Sequence, residues 1–419
     1  MRVTAGNGKK TLYTRFMRVP LASSGLRDID IETAVSVLKS GQLTMGARVK
    51  EFEIRTAKYL NSKHFVMVNS GSSANLLMIE ALMRPTLVKP RLFPGDSVLV
   101  PAIAWPTTIW PLIQLGLNPV FVDIDPKTLA IDLDEAQDLI DKSGIRIAAI
   151  FPIHPLGYAI PHADLDSFSK RNGIVLISDV CESLGSWESG IHAGMTSIAA
   201  SFSFYFSHHI TTMEGGGIAT NDDNLADDLR SMRSHGWSRD RTDAAHWNEK
   251  KSNNDSKFLF VSTGYNVRPM EIQAAIGTSQ IGSVDEFIAR RRRIAERINV
   301  ALQGTDLEVI GASLLAADSK SSGHSWMLIP IRVLGDSPEL KKAKILANLE
   351  ASGIETRPVL TGNFLSQPAI QRITKHSVDP ANFPGANLIT DTAFLVGAHH
   401  DLTEEQILHL MESLVSSVK

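Results

Sequence analysis

Residues 174–181 read Ile-Val-Leu-Ile-Ser-Asp-Val-Cys, and this stretch decides the fold class that the sequence predicts. Its first four residues are all apolar, without the alternation of a strand that has one solvated face. Strands that are covered by helices on both faces show such continuous apolar runs. The stretch therefore predicts a buried strand in a central sheet, which ends at Asp179.

Similar apolar runs lie on both sides of this strand along the chain. They are residues 65–69, 97–101, 119–123, 146–151 and 198–204. Because longer helical patterns separate the runs, we expect an α/β domain with a largely parallel sheet. Ligands of such sheets bind at the carboxyl ends of the strands, so polar residues at those ends are candidates for a binding site.

The length of the chain, 419 residues, exceeds what one hydrophobic core usually supports. A long helical pattern runs from residue 269 to about residue 302, and shorter elements follow it. We therefore expect an N-terminal extension (residues 1–20), a large α/β domain (21–290) and a smaller C-terminal α+β domain (291–419). The four arginines at 290–293 are interpreted as a solvated helix face, as most charge runs are.

The composition is that of an ordinary globular protein, with a formal net charge of -3, 21% charged residues and a pI near 6.5. It offers no basic surface for nucleic acid, no signal-peptide pattern and no apolar stretch long enough for a membrane-spanning helix. The lone cysteine, Cys181, excludes an intrachain disulfide and a site built from several thiolates. The sequence predicts a cytoplasmic protein without a metal or a membrane partner.

Two polar segments follow predicted strands. Residues 69–75 read Asn-Ser-Gly-Ser-Ser-Ala-Asn and open a predicted helix, whose free backbone N–H groups suit a phosphate. From this segment alone, an ordinary serine N-cap is the preferred interpretation. Asp179 places a carboxylate where the buried sheet meets its crevice, and such an acid requires a cationic partner. A pyridinium nitrogen would supply that partner, and a helix N-cap role remains an equal alternative.

A third segment, residues 201–217, reads Ser-Phe-Ser-Phe-Tyr-Phe-Ser-His-His-Ile-Thr-Thr-Met-Glu-Gly-Gly-Gly. It resembles the cofactor loop of the DegT/StrS family of fold type I sugar aminotransferases, in which a lysine six residues before Glu-Gly-Gly binds the cofactor covalently. The same count from Glu214 ends at His208. Further motifs similar to the family, at 43–46, 264–269 and 353–363, follow in the expected order, so the resemblance covers almost the whole chain. It is strongest to the branch that lacks the lysine.

The resemblance implies a fold type I aminotransferase-like protein that binds pyridoxal 5'-phosphate and pyridoxamine 5'-phosphate without a covalent bond. Gly71, Ser72 and Ser203 would bind the phosphate, Trp105 would stack on the ring, and Asp179 would pair with the ring nitrogen. The residues just beyond this aspartate, which are also assigned to the cofactor, are Glu182 and Ser183. Taken alone, Trp105 would be interpreted as a core residue.

The resemblance also implies a homodimer with shared active sites. Asn266 matches a residue that reaches across the dimer interface to the phosphate, although by itself it suggests only a turn. Arg268 is the candidate for an amino-acid carboxylate. Arg239 and Arg241 are candidates for the substrate diphosphate, with solvation as the alternative, and the nearby Lys250 and Lys251 are interpreted as solvated.

His208 is the expected catalytic residue. Imidazole is a poor amine and a good base near neutral pH, with an unperturbed pKa of about 6.5. By resemblance, it would take a proton and then give one to a departing 3-hydroxyl of a nucleotide-linked 4-keto-6-deoxy sugar. GDP-4-keto-6-deoxymannose is the expected substrate, and L-glutamate would regenerate the pyridoxamine form for 3,6-dideoxyhexose synthesis. His209 is expected to be structural.

Three other functions compete with this one. A sugar aminotransferase needs lysine chemistry at position 208, which is absent. An iron–sulfur-dependent 3-dehydrase for CDP-sugars needs several cysteine ligands, whereas Cys181 stands alone. A non-catalytic sensor or scaffold would also lack the lysine, but it would not be expected to keep every cofactor contact and a competent base. These arguments favour the dehydratase.

Overall fold

The computed structural model describes residues 17–249, 258–316, 322–373 and 378–418. Its strands are β1 (His64–Val68), β2 (Ser97–Pro101), β3 (Asn118–Val122), β4 (Ile147–Ile150), β5 (Val175–Asp179), β6 (Trp187–Glu188), β7 (Ile191–His192), β8 (Ala199–Ser203), β9 (Gly216–Thr220), β10 (Leu307–Val309), β11 (Ser322–Gly323), β12 (Leu328–Val333) and β13 (Ala393–Gly397). Seven of them form the central sheet, in the order β1-β9-β8-β5-β4-β2-β3.

Helices pack around this sheet and around the smaller sheet β10-β12-β13. They are α1 (Asp28–Ser40), α2 (Ala47–Leu60), α3 (Gly71–Met83), α4 (Pro106–Gln114), α5 (Leu133–Ser143), α6 (His162–Asn172), α7 (Asp223–Met232), α8 (Ala244–Glu249), α9 (Glu271–Ile281), α10 (Val284–Ala301), α11 (Pro338–Ala351), α12 (Pro368–Ile373), α13 (Pro384–Thr392) and α14 (Glu404–Ser417). Within the described ranges, no helix has the length and apolar composition needed to cross a membrane.

The predicted α/β architecture is confirmed. All six predicted strands are present within two residues of their expected bounds, and β2, β3, β4, β5 and β8 are joined by parallel pairings. Leu176 and Ile177 in β5 are buried, and Val175 at its start is half-buried, which explains the continuous apolar run in the sequence. The parallel strands end on one edge of the sheet and so bring their terminal polar residues together.

One strand of the central sheet, β9, was not predicted. It begins with Gly216 and Gly217, and glycine is depleted in strands. It runs antiparallel to both β1 and β8. A side chain has no room at its start, because a Cβ atom on Gly216 would lie 2.5 Å from the backbone nitrogen of Gly71. Close approach of two backbones therefore overrides strand propensity here.

Substitution Gly216→Ala should destabilise the protein by about 1–3 kcal/mol, since the added methyl overpacks against backbone that cannot rotate away. Urea unfolding followed by circular dichroism measures this change. Gly282→Ala is the matched control, because a Cβ atom there meets no other atom within 4 Å. If the two variants unfold at the same urea concentration, the close packing of β9 on the turn before α3 is not important for stability.

The long helix expected between residues 269 and 302 is wrong in one respect. The structure has two helices there, α9 and α10, separated by Gly282 and Ser283. Glycine is a poor helix former and helices commonly end near it. Apolar residues recur with helical periodicity on both sides of this break, and the sequence pattern therefore predicts a single helix.

The basic run at 290–293 is only partly a solvated face, which corrects the sequence interpretation. Arg291 is 2% exposed and Arg292 is 9% exposed. The guanidinium of Arg292 donates hydrogen bonds to the backbone carbonyls of Leu314 and Leu315. Two of the four arginines therefore belong to the interior.

A second apolar cluster lies around the antiparallel sheet β10-β12-β13. Helix α10 contributes to two clusters. Val284 and Phe287, near its start, pack beneath the large sheet, whereas Ile294 and Ile298 pack on the small one. The boundary expected between residues 290 and 291 falls inside this helix, and the division into domains remains a prediction.

Candidate active site

A cavity of about 540 Å³ opens at the carboxyl ends of β5 and β8, beside the first turn of α3. Seven of the residues predicted from the sequence line it: Gly71, Ser72, Trp105, Asp179, Glu182, Ser203 and His208. Trp105 is 52% exposed, so its interpretation as a core residue is wrong. The topology of the sheet brings together residues that are distant in the chain.

The turn between β1 and α3 builds one wall of the cavity. Ser70 is the N-cap of α3, and its hydroxyl accepts a hydrogen bond from the backbone N–H of Ser73 at 3.1 Å. Gly71 begins the helix, where a Cβ atom would lie only 2.6 Å from the Cβ atom of Ser203. The first backbone N–H groups of a helix have no intrahelical partner and carry partial positive charge. This wall therefore suits an anion.

Asp179 ends β5 with a buried carboxylate. Its Oδ2 atom accepts hydrogen bonds from Asn75 Nδ2 and Thr108 Oγ1, each at 2.8 Å, and its Oδ1 atom accepts one from the backbone N–H of Cys181 at 3.0 Å. The chain turns after Asp179 instead of starting a helix, so the N-cap alternative is wrong. The three donors fix the carboxylate in place at the cavity.

His208 lies in the loop between β8 and β9, and its ring is half-buried. Nδ1 lies 3.3 Å from the carbonyl oxygen of Ser203. A hydrogen bond donated by Nδ1 leaves the lone pair of the neutral ring on Nε2. The backbone of Cys181 also interacts with the ring and, like that of Ser203, favours its protonated form. Burial lowers the pKa of His208 to about 4, so the expectation of an ordinary value near 6.5 is wrong. The imidazole is neutral at pH 7.

Two other titratable groups line the cavity next to Asp179. Burial raises the pKa of Glu182 to about 7, and its Oε2 atom accepts a hydrogen bond from the backbone N–H of Leu156 at 3.0 Å. Burial raises the pKa of the Cys181 thiol well above its usual range, and the neighbouring Asp179 carboxylate adds to the effect. The cavity thus contains a neutral thiol and a carboxyl group that titrates near neutrality.

Two predicted neighbours of the cavity are structural in their contacts. Ser183 is fully buried and does not line the cavity; its hydroxyl accepts from the backbone N–H of Gly157 at 3.0 Å and donates to the carbonyl of His154 at 2.6 Å. The structure thus places it behind the cavity wall. His209 is 1% exposed with Nε2 at 3.2 Å from the carbonyl of Ser325, in agreement with its expected role.

Three predicted residues do not line the cavity. Arg268 donates a hydrogen bond to Ser234 Oγ at 3.1 Å, and Asn266 pairs with the same serine through a backbone bridge. The guanidinium of Arg239 stacks 4.1 Å from the centre of the Trp237 ring and borders a different hollow. A single protomer does not bring them to His208. Lys250 and Lys251 lie outside the described residues.

Sequence reasoning missed Arg357 and Met327 as lining residues. Arg357 follows α11, and backbone hydrogen bonds with Leu395 in β13 carry it to the cavity mouth. Its guanidinium has no carboxylate within ion-pair distance in the described ranges. The motif at 353–358 contributes to the family resemblance. No spacing in the sequence indicates that it approaches the strand ends of the central sheet.

The chain is similar in sequence and fold to known enzymes. The model of the DegT/DnrJ/EryC1/StrS aminotransferase family matches residues 26–415. The chain is 36% identical over 397 residues to GDP-4-keto-6-deoxy-D-mannose 3-dehydratase of Yersinia pseudotuberculosis, covering 94% of this chain and 98% of the relative.

Two solved structures resemble the fold closely. One is the Escherichia coli GDP-4-keto-6-deoxy-D-mannose-3-dehydratase with bound hydrated PLP, with a TM-score of 0.85, 36% identity and coverage of 95% of this chain and 100% of that chain. The other is a GDP-4-keto-6-deoxymannose-3-dehydratase with a trapped PLP-glutamate geminal diamine, with a TM-score of 0.83, 35% identity and the same coverage. The chain belongs to the DegT/DnrJ/EryC1/StrS aminotransferase family.

Proposed function

We propose that this chain is a pyridoxamine-phosphate-dependent dehydratase that removes the 3-hydroxyl of a nucleotide-linked 4-keto-6-deoxyhexose, in the synthesis of 3,6-dideoxyhexoses. The observation that carries the proposal is His208, a neutral imidazole at the cavity in the place where aminotransferases of the family need a lysine. The names of the similar enzymes support GDP-4-keto-6-deoxymannose as the substrate.

The residues present fit the cofactor. The first turn of α3 suits its phosphate, with the hydroxyls of Ser72 and Ser203 beside it. The Asp179 carboxylate suits a protonated ring nitrogen, and the exposed ring of Trp105 suits stacking on a flat heterocycle. Since no lysine is among the lining residues, the cofactor is held without a covalent bond.

Pyridoxamine phosphate, when bound, supplies an amine that reacts with a sugar ketone and a protonated ring that withdraws electrons. His208 then performs the proton transfers. With Nδ1 engaged by the carbonyl of Ser203, Nε2 is the atom that accepts a proton. Burial disfavours the positive charge of the protonated His208 imidazole. The imidazole therefore readily donates its proton to the oxygen that leaves C3 of the sugar.

L-glutamate is the proposed amino donor, which restores the amine after each turnover. Its α-carboxylate needs a cation at the cavity, and Arg357 offers an exposed guanidinium there. Arg268 remains the second candidate for this carboxylate, supplied by a partner subunit. The two arginines lie on different parts of the chain, so substitutions can separate their effects on the KM for glutamate.

The proposed active form is a homodimer with shared active sites. Asn266, Arg268 and Arg239 do not reach the cavity of their own protomer, which supports a contribution to the cavity of the partner. Large apolar side chains near the cavity are also unusually exposed, as a subunit interface would require. They are Trp105, Tyr205, Phe206, Met213 and Met270. The proposed location is the cytoplasm, which the proposed nucleotide-sugar substrate supports.

The dependence on glutamate tests this function. The purified protein is loaded with pyridoxal phosphate, and its absorbance is recorded before and after L-glutamate. We expect conversion to the pyridoxamine spectrum, and then dehydration of GDP-4-keto-6-deoxymannose that mass spectrometry detects as loss of the C3 oxygen. Sustained turnover without glutamate would contradict the cycle. Cofactor binding with no change in any tested nucleotide sugar would instead favour a sensor.

Mixing two inactive variants tests the shared site. His208→Asn removes the base from a protomer's own cavity, and Asn266→Ala removes the group proposed to cross the interface. Neither homodimer should turn over, whereas dimers re-formed from a mixture contain one intact site and should regain activity. If the mixture stays as inactive as its components, Asn266 acts within its own protomer.

A further inference from the structure

We propose that Arg291 is a positioning residue for the proton transfer: its guanidinium, acting through the backbone carbonyl of His208, holds the imidazole in the orientation that the reaction needs. This inference rests on the proposed function and extends it to a residue outside the cavity. Arg291 belongs to α10 and touches neither the substrate nor the cofactor position.

The contacts of Arg291 join two parts of the cavity wall. Its Nη1 atom donates to the carbonyl of Met327 at 2.8 Å, and its Nη2 atom donates to the carbonyl of His208 at 3.3 Å. Both acceptor residues line the cavity, but they lie more than a hundred residues apart in the chain. A planar guanidinium with donors in a fixed fork sets the distance between two such carbonyls. Arg291 therefore fixes the His208 backbone relative to the wall that carries Met327.

Stability alone does not account for this side chain. Arg291 is 2% exposed, and in the described ranges no carboxylate lies within ion-pair distance of it. Among the residues that the structure describes, its Nε atom has no hydrogen-bond partner. A buried cation without a counter-ion is destabilising, and an apolar side chain of similar volume is usually at least as stable. Neighbours of Arg291 on α10, Ile288 and Ile294, are apolar as expected for such a position.

The charge of Arg291 also favours the neutral imidazole. Burial lowers the pKa of Arg291 to about 10, so the guanidinium remains charged at pH 7. Burial is the main cause of the low pKa of His208; the Asp179 carboxylate opposes it, and the Arg291 cation adds to it. The titratable and charged groups that share the cavity with the imidazole or interact with it are Asp179, Cys181, Glu182, Tyr205, His209, Glu214, Arg291 and Arg357.

Two substitutions separate the charge of Arg291 from its geometry. Arg291→Met keeps the volume and removes both; Arg291→Lys keeps the charge but cannot reach both carbonyls with a fixed fork. Arg292→Met is the matched control, because this neighbour is also buried in α10 but donates to the carbonyls of Leu314 and Leu315. All three variants are compared with the wild-type holoenzyme.

Kinetics provide the first readout. Arg291→Met should lower kcat by about tenfold or more, the size expected when a reacting group is slightly misplaced. The KM for the nucleotide sugar should stay within about threefold, because the contacts that bind it are intact. The acid limb of the kcat profile should move to higher pH, since loss of the cation raises the pKa of His208. In Arg291→Lys, which keeps the charge, the acid limb should lie at the wild-type pH, but kcat should be only partly restored.

A second readout needs neither cofactor nor turnover. Hydrogen–deuterium exchange at the imidazole C2 carbon, measured by mass spectrometry of peptides from the protein without cofactor, gives the pKa of His208. We expect Arg291→Met to raise this pKa and Arg292→Met to leave it unchanged. This measurement remains valid if the wild-type protein proves inactive as a dehydratase. Failure of the positioning role of Arg291 can therefore be distinguished from failure of the proposed function.

Two outcomes would overturn the positioning role. One is an Arg291→Met variant with the kcat, acid limb and His208 pKa of the wild type. The other is a loss of kcat that Arg292→Met shares in full, with no movement of the acid limb, because that pattern describes general loss of packing. If Arg291→Met does not fold, the test rests on Arg291→Lys. A wild-type kcat in Arg291→Lys would show that the two-pronged guanidinium contact is not required.

Discussion

His208→Asn is expected to lower the kcat for dehydration by about 10²–10⁴-fold, the usual contribution of a general acid and base. The amide has no basic nitrogen, so it neither accepts a proton nor returns one to the leaving oxygen. Affinity for pyridoxamine phosphate should change little, because the phosphate wall and Asp179 remain. Single-turnover assays with preloaded pyridoxamine phosphate measure the chemical step directly.

The pH dependence of the wild-type enzyme provides a second check on the same residue. Since the pKa of His208 is lowered to about 4, the base is neutral over the whole range above about pH 5. The acid limb of kcat assigned to His208 should therefore lie below pH 6. His209→Asn is the matched control, as this neighbour is buried, does not line the cavity, and has its Nε2 atom 3.2 Å from the carbonyl of Ser325. Equal losses in the two variants would contradict the assignment of the base.

Asp179→Asn should weaken the binding of pyridoxamine phosphate by about tenfold or more, because a charge-assisted hydrogen bond to the ring nitrogen is replaced by a neutral one. An amide nitrogen in place of Oδ2 would face the donors of Asn75 and Thr108, and one in place of Oδ1 would face the N–H of Cys181, so at least one of the three bonds is lost. The kcat should fall further, because the ring would be a weaker acceptor of electrons. Absorbance titration with the cofactor gives the affinity.

Asp123→Asn is the control for this variant. Asp123 is also a buried carboxylate near the end of a strand of the same sheet, but it accepts from the backbone N–H groups of Gly385 and Ala386 at the start of α13. The Asp123→Asn variant should be less stable than the wild type but should bind the cofactor with the same affinity. If both aspartate variants bind pyridoxamine phosphate as the wild type does, Asp179 does not pair with the ring.

The fold was largely readable from the sequence because its strands are short, buried on both faces and separated by helices. The phosphate turn and Asp179 were readable for the same reason, since each follows such a strand directly. Position 208 depended on resemblance: without the spacing to Glu214, two adjacent histidines in a loop could not be ranked. The structure separates them, as His208 lines the cavity and His209 is buried behind it.

The remaining features depend on tertiary packing, which no local pattern reports. Arg291 and Arg292 look alike in the run at 290–293, and only the position of α10 between two apolar clusters buries them. Ser183 follows the aspartate as a ligand-binding serine would, but the loop that contains His154 uses its hydroxyl instead. Arg239, Asn266 and Arg268 do not line the cavity, and no local pattern in the sequence reports this.

Helix α10 has a consequence for how the chain folds and how it can be divided. Its first turns complete the packing under the large sheet, and its last turns form part of the apolar cluster of the small one. The apolar cluster of the large sheet also contains Met327, Leu328 and Phe364, which lie beyond residue 290. A polypeptide that stops at residue 290 would lack these side chains and would cut α10 in two, so neither fragment should fold cooperatively alone. The two sheets should instead melt in a single transition, and a protease should not release either as a stable piece.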